Sequence, residues 1–350
     1  MGQSFGQYSL MFITSLIVTA IITPPFIRLA SKQEIVDHPG LHKTHKISKP
    51  LLGGLAIFLG FILSIFLFVD VSPKITAVLA GAIVLVVIGI YDDINNLKPI
   101  YKLGGQILAA SIVIIYNIEY YHVFLDTLGS YYIPEFFILL LLIGWIVLMI
   151  NAFNLIDGLD GLASGTAVIC FMAMALITLL NGASMTMFAL HIAGAGACAG
   201  FLFHNFSPAR IFMGDTGSML IGYLLAATYL LSINSNFDLS LVLGSFFIFA
   251  YPAMDTGFAI FRRVKTRTSI LKADRGHIHH ILPALGFSVR KTVFILYLVS
   301  IFFAAMAVVL LCMDVSSPAL IFIGLLTVAC SAILMRHLYN IGRINGCYGA

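Results

Sequence analysis

Charge is what this sequence has least of. Only 10% of its 350 residues are Asp, Glu, Lys or Arg, where a soluble domain carries roughly 25%. That excludes a water-soluble globule, and no nucleic acid is expected as a partner. Cysteine is also scarce. Cys170, Cys198, Cys312, Cys330 and Cys347 form no CxxC pair, which speaks against disulfides or a cysteine zinc site and for small apolar packing residues. Tryptophan occurs once, as Trp145, a bilayer or packing residue. No polar linker divides the chain, so residues 1–350 read as a single domain.

What the sequence does have is apolar length. It is 60% hydrophobic, and its apolar runs of about 20 residues each suffice to cross a hydrocarbon core of about 30 Å. The runs fall near 8–29, 51–70, 75–91, 103–119, 135–153, 162–180, 185–204, 217–233, 239–258, 292–312 and 317–337. They predict an all-α integral membrane protein with about eleven transmembrane helices. The first run lacks the basic flank of a cleaved signal and is expected to remain as a membrane helix. Of the 19 Lys and Arg residues, all but Lys74 fall in alternate loops. The positive-inside rule makes those loops cytoplasmic, with the N-terminus outside and the C-terminus inside.

Four polar clusters then land on that cytoplasmic face. A carboxylate beside a membrane is costly and tends to persist where it binds a cation or handles protons. Asp92 and Asp93 close the third run; adjacent carboxylates repel, which raises a proton affinity or demands a metal. The plainer alternative is a solvated helix end. Asn151, Asn154 and Asp157 recur at steps of three, so they share one face if the fifth helix reaches Asp157. Gly158, Asp160 and Gly161 follow, where glycine lets backbone approach a ligand. Asp215, in Phe212-Met213-Gly214-Asp215-Thr216-Gly217-Ser218, opens the eighth helix, whose N-terminal amides favour anions; alone it could be an N-cap. The fourth cluster, Asp274-Arg275-Gly276-His277-Ile278-His279-His280, reads as a phosphate cradle, with zinc or a plain surface loop as alternatives. The first cytoplasmic loop adds Lys43, Lys46 and Lys49 among His38, His42 and His45. His191 is the exception near the middle of a run, and reads as a hydrogen-bonded packing residue.

Tyr91-Asp92-Asp93, Asn151 to Gly161, Ile211 to Ser218 and His277-Ile278-His279-His280 together resemble the polyprenyl-phosphate N-acetylhexosamine-1-phosphate transferases, in order and spacing, along nearly the whole chain. The likeness is greatest to bacterial enzymes that place GlcNAc-1-phosphate on undecaprenyl phosphate to begin teichoic acid, O-antigen or related glycans. The resemblance implies that UDP-GlcNAc and undecaprenyl phosphate give undecaprenyl-diphosphate-GlcNAc and UMP, with Mg²⁺ (or Mn²⁺ in its place), in a multi-pass protein of the bacterial cell membrane. Carried over motif by motif, it makes Asp215 the main metal ligand with Asn154 assisting. Asp92 and Asp93 would bind or deprotonate the lipid phosphate. Asn151, Asp157, Asp160 and Asn205 would serve substrate binding, the last three on the uridine side, with Phe212 stacked on uracil. Lys46, Lys49, Arg275, His277, His279 and His280 would hold the phosphates.

That scheme is physically coherent: two anions must meet, so a metal and basic groups offset their repulsion and the charge that builds on transfer. Because a phosphomonoester has a second pKa of about 6, the acceptor is already largely dianionic, and direct in-line attack is favoured over a covalent aspartyl intermediate. Within the family the alternative donor is UDP-MurNAc-pentapeptide or another UDP-HexNAc. From a different class, a proton-coupled transporter would place ionisable groups near the span centres. Homodimerisation is left open.

Overall fold

The structure is a computed structural model that describes residues 5–38, 47–117, 134–182, 184–232, 239–269 and 276–344. Helices α1 (Phe5–Lys32), α2 (Gly53–Phe68), α3 (Pro73–Asn95), α4 (Pro99–Tyr116), α5 (Glu135–Ile156), α6 (Leu162–Leu180), α7 (Met185–Asn205) and α8 (Gly214–Ser232) come first. They are followed by α9 (Leu239–Phe246), α10 (Ala250–Lys265), α11 (Ile278–Ala284), α12 (Val289–Cys312) and α13 (Ser317–Ile344). Local signals set several starts. Ser72 caps α3 ahead of Pro73, Ser288 caps α12, and Pro99 opens α4, each suiting the unpaired amides of a first turn.

Each expected apolar run coincides with a helix or helix pair. Among the described residues nine are long and apolar enough to cross a membrane. Of the other two, α2 is short and α8 begins with Gly214 and Asp215. This is an all-α integral membrane protein. Three details differ from expectation. The fifth helix stops at Ile156, so Asp157 is its C-cap rather than its last turn. The ninth run is broken by a 3₁₀ turn at Phe247–Phe249; Pro252 cannot donate to the carbonyl four residues back, which breaks the ladder at that point. And the first loop carries a small antiparallel ribbon, β1 (Val36–Asp37) with β2 (Lys49–Pro50).

The interior is built around α6, α7 and α8. About four-fifths of α7's span is buried inside the protein (78%), against 6% for α13, which places α13 at the periphery of the described helices. Trp145 sits in an aromatic cluster with Tyr229, Phe246 and Phe249, so it packs inside. Buried His191 lies 3.3 Å from Thr178 Oγ1. Cys170 and Cys198 are buried and free.

One close crossing positions the site. At the start of α2, Gly54 meets Gly217 of α8 with no room for a Cβ on either. Backbone bonds fasten the same region: Phe212 N to Pro50 O at 2.9 Å, Gly53 N to Phe212 O at 3.1 Å and Gly54 N to Met213 O at 2.9 Å. The segment before Asp215 is thus zipped to β2 and α2. Gly54→Ala is expected to destabilise by about 1–3 kcal/mol, the usual range for overpacking, while Gly104→Ala, with open space around it, leaves stability unchanged or slightly higher. Thermal unfolding in detergent measures both.

Candidate active site

A cavity of about 400 Å³ opens where α3, α4, α5 and α8 meet, lined by Asp92, Asp93, Asn154, Asp157, Asp160, Phe212, Asp215 and His280 among others. Asp92, Asp93 and Asp215 each bring a carboxylate oxygen to within 4.8 Å of the others. At an effective dielectric of about 20, such pairs repel by roughly 3–4 kcal/mol. Lys102, on the first turn of α4, lies between them. Its Nζ is 2.5 Å from Asp92 Oδ2 and 2.6 Å from Asp215 Oδ2. One ammonium cannot neutralise three carboxylates.

Successive residues of a helix point about 100° apart, and Asp92 and Asp93 do different things. Asp92 also accepts from Leu97 N at 2.7 Å, closing the end of α3. Asp93 reaches across to α8, accepting from Asp215 N at 2.8 Å, Thr216 N at 3.3 Å and Thr216 Oγ1 at 2.6 Å. It is an N-cap supplied by another helix. Gly214 makes this approach feasible: its φ is +68° and a Cβ there would collide with the Asp93 carboxylate. The first amides of α8, expected to receive a substrate anion, are therefore occupied by a protein carboxylate.

The asparagines divide in the same way. Asn154 donates to Ser218 Oγ at 2.9 Å and stands beside Asp215 in the cavity. Asn151, a turn earlier, donates to Gln106 Oε1 and Val147 O and does not line the cavity. Asn205 is buried, accepts from Gly161 N and Ser164 Oγ, and donates to Ile211 O. Ala209 is gripped twice, its N–H by Asp160 Oδ2 at 2.9 Å and its carbonyl by Lys49 Nζ at 2.6 Å. In this structure Asn205, Asp160 and Lys49 hold the 206–213 loop that presents Phe212 and Asp215. Lys46 and Arg275 lie outside the described residues.

The histidines separate too. His277 is buried, its Nδ1 2.7 Å from Asp255 Oδ2. His279 is buried against Gly158, where a Cβ would strike its ring; burial first, and the neighbouring His280 next, push its pKa down to about 3, so it is neutral. His280 lines the cavity. The expectation that all three histidines face phosphate thus narrows to His280, because a buried ring cannot reach a solvated ligand. Sequence reasoning missed Lys102 and Asp255. Lys102 had served only as a charge marking orientation, and Asp255 is a carboxylate inside an apolar run, itself a functional signal.

An all-α membrane protein with clustered carboxylates, one bridging lysine and an asparagine at one cavity has the makings of a phosphate-handling enzyme. Residues 75–233 match the family described as glycosyl transferase family 4. Over 305 residues the chain is 37% identical to a probable undecaprenyl-phosphate N-acetylglucosaminyl 1-phosphate transferase of Bacillus subtilis, covering 85% of this chain and 84% of the relative. It is 33% identical to a decaprenyl-phosphate N-acetylglucosaminephosphotransferase of Mycobacterium tuberculosis, covering 85% and 81%. It is 28% identical to the undecaprenyl-phosphate alpha-N-acetylglucosaminyl 1-phosphate transferase of Escherichia coli, covering 84% and 83%. The chain belongs to this family of polyprenyl-phosphate N-acetylhexosamine-1-phosphate transferases.

Asp157 carries a pH signature. Burial, then the charges of Asp215, Asp93 and Asp160, push its pKa up to about 8. Folded protein keeps a proton there that unfolded chain releases above about 4, so this group's contribution to stability falls as pH rises from about 4 to about 8. In metal-free protein, Asp157→Asn is expected to melt higher than wild type by a margin that grows across that window. Melting curves in EDTA between pH 5.5 and 8.5 measure it; a constant margin would contradict the assignment.

Proposed function

We propose that the protein transfers GlcNAc-1-phosphate from UDP-GlcNAc to undecaprenyl phosphate, the first membrane step of a cell-envelope glycan. The observation that carries this reading is the cluster of Asp92, Asp93 and Asp215 at one cavity, with Lys102 bridging Asp92 and Asp215, in a chain whose relatives are named for that transfer. The chain crosses the membrane eleven times with its N-terminus outside, and the cavity opens on the cytoplasmic face, where the basic loops lie and where a nucleotide sugar is available.

An oxygen of the lipid phosphate attacks the β-phosphorus, the bond from that phosphorus to the bridging oxygen breaks, and UMP leaves. The donor set is all oxygen, which suits Mg²⁺. Asp215 would hold it, with Asn154 alongside and Asp92 within reach. Bound there, it would offset the charge of the two phosphates and the leaving UMP. Lys102 is placed to move from its carboxylates onto a phosphate oxygen as the anions enter. Asp93 keeps α8 in register, so its contribution is to position Asp215. His280, which lines the same cavity, would supply a donor to a phosphate, and Phe212 would offer a ring to the uracil. A phospho-N-acetylmuramoyl-pentapeptide-transferase of Caldicellulosiruptor bescii at 30% identity keeps the larger UDP-sugar as the second donor to test.

Purified protein with undecaprenyl phosphate, Mg²⁺ and a panel of UDP-sugars should release UMP and form a lipid-linked sugar with UDP-GlcNAc. Asp215→Asn should lower kcat/KM at least about 100-fold, as for loss of a preorganised charge at the reacting centre, and Lys102→Ala about 10- to 100-fold. No product from any UDP-HexNAc would sink the proposal.

A further inference from the structure

Asp255 is buried in α10, in a span otherwise apolar before Arg262, and a carboxylate there persists only when its oxygens are satisfied. Both are. Oδ2 accepts from His277 Nδ1 at 2.7 Å, and Oδ1 accepts from Ile278 N at 3.0 Å. One side chain thus fixes both the ring that precedes α11 and the first amide of that helix. With seven residues, α11 is too short to hold its own direction, so the clamp at its first residue, together with the packing of its buried Ile281 and Leu282, sets it. The rings then pass the constraint along. His277 stacks on His279 with centroids 5.4 Å apart and 19° between planes, and His279 meets His280 at 4.2 Å. Only His280 of the three lines the cavity, and Asp255 does not.

We propose that Asp255 is a positioning residue for the transfer, acting through His277 and the N-terminus of α11 to fix the direction in which His280 enters the cavity. This rests on the transferase reading above. Asp255, His277 and His279 do bring potential ligand atoms within 4.8 Å of one another. However, His277 Nδ1 donates to Asp255 Oδ2, so that nitrogen is not free for a metal in this arrangement, and the carboxylate serves as a clamp on α11.

The test is a double-mutant cycle. Asp255→Asn keeps the volume and a carbonyl for Ile278 N but turns a donor toward His277 Nδ1. It is expected to lower kcat on the order of 10-fold, with KM for UDP-GlcNAc changed less than about twofold. Made in a His280→Gln background, the same change should lower kcat less than about twofold further. A full 10-fold loss in that background would overturn the proposal, because Asp255 would then act independently of His280. One transition-metal ion per purified chain, lost in Asp255→Asn, would overturn it as well. If Asp255→Asn does not fold, His277→Ala and His277→Asn decide in the same two backgrounds. Asn can still donate to Asp255, so it should cost less activity than Ala, and both losses should shrink beside His280→Gln. An inactive wild type would sink the transferase reading and this inference together; active wild type with additive losses would sink only the inference.

Discussion

The ammonium of Lys102, set between Asp92 and Asp215, is the interaction on which the site depends. Three carboxylates from two helices share one small cavity only with a cation beside them or a proton kept among them. The lysine comes from a third helix, so α3, α4 and α8 meet where their charges are partly offset. Because one positive charge is too few, the cluster retains excess negative charge, and burial together with that charge pushes Asp157 nearby toward its protonated form. On the proposed reading, a divalent cation would supply the missing positive charge. Cations and phosphates entering together would restore the balance that the protein alone leaves incomplete.

Asp93 explains how such a site keeps its shape. A carboxylate capping a helix from a different helix ties the end of α3 to the start of α8, and it does so at the residue next to Asp215. The zipper from Pro50 to Met213, the Gly54–Gly217 crossing and the double grip on Ala209 by Asp160 and Lys49 all immobilise the same short segment. Several polar residues that line the cavity, Asp93 and Asp160 among them, therefore also brace the segment that carries Asp215. Preorganisation of this kind lets fixed charges act on a reaction without reorganising during it.

Much of this was legible in the sequence, and the limits have physical causes. Apolar length located the nine described helices long and apolar enough to cross a membrane, because the bilayer imposes a minimum span, and the break at 247–249 escaped because a run of Phe and Ile looks continuous until Pro252's missing donor is traced back four residues. Asp92, Asp93, Asn154, Asp157 and Asp215 were readable as one constellation, since charge in such a chain is rare enough to carry meaning. Asn151 was grouped with them by spacing, and periodicity cannot say whether an amide bonds a neighbour such as Gln106 or an open cavity; Asn205 was carried over by resemblance and lines the cavity while also bracing the loop. Lys102 and Asp255 were missed for the converse reason. Each is a single charge whose partners lie more than 20 residues away or on another helix, and no local pattern announces them.

The central claim is that the carboxylate cluster around Asp215 is built to hold a divalent cation. Mn²⁺ titration of the purified, folded protein, followed by electron paramagnetic resonance without any substrate, tests it most directly. The account predicts one site per chain in the wild type and its loss in folded Asp215→Asn. Mn²⁺ bound equally well by that variant would contradict it.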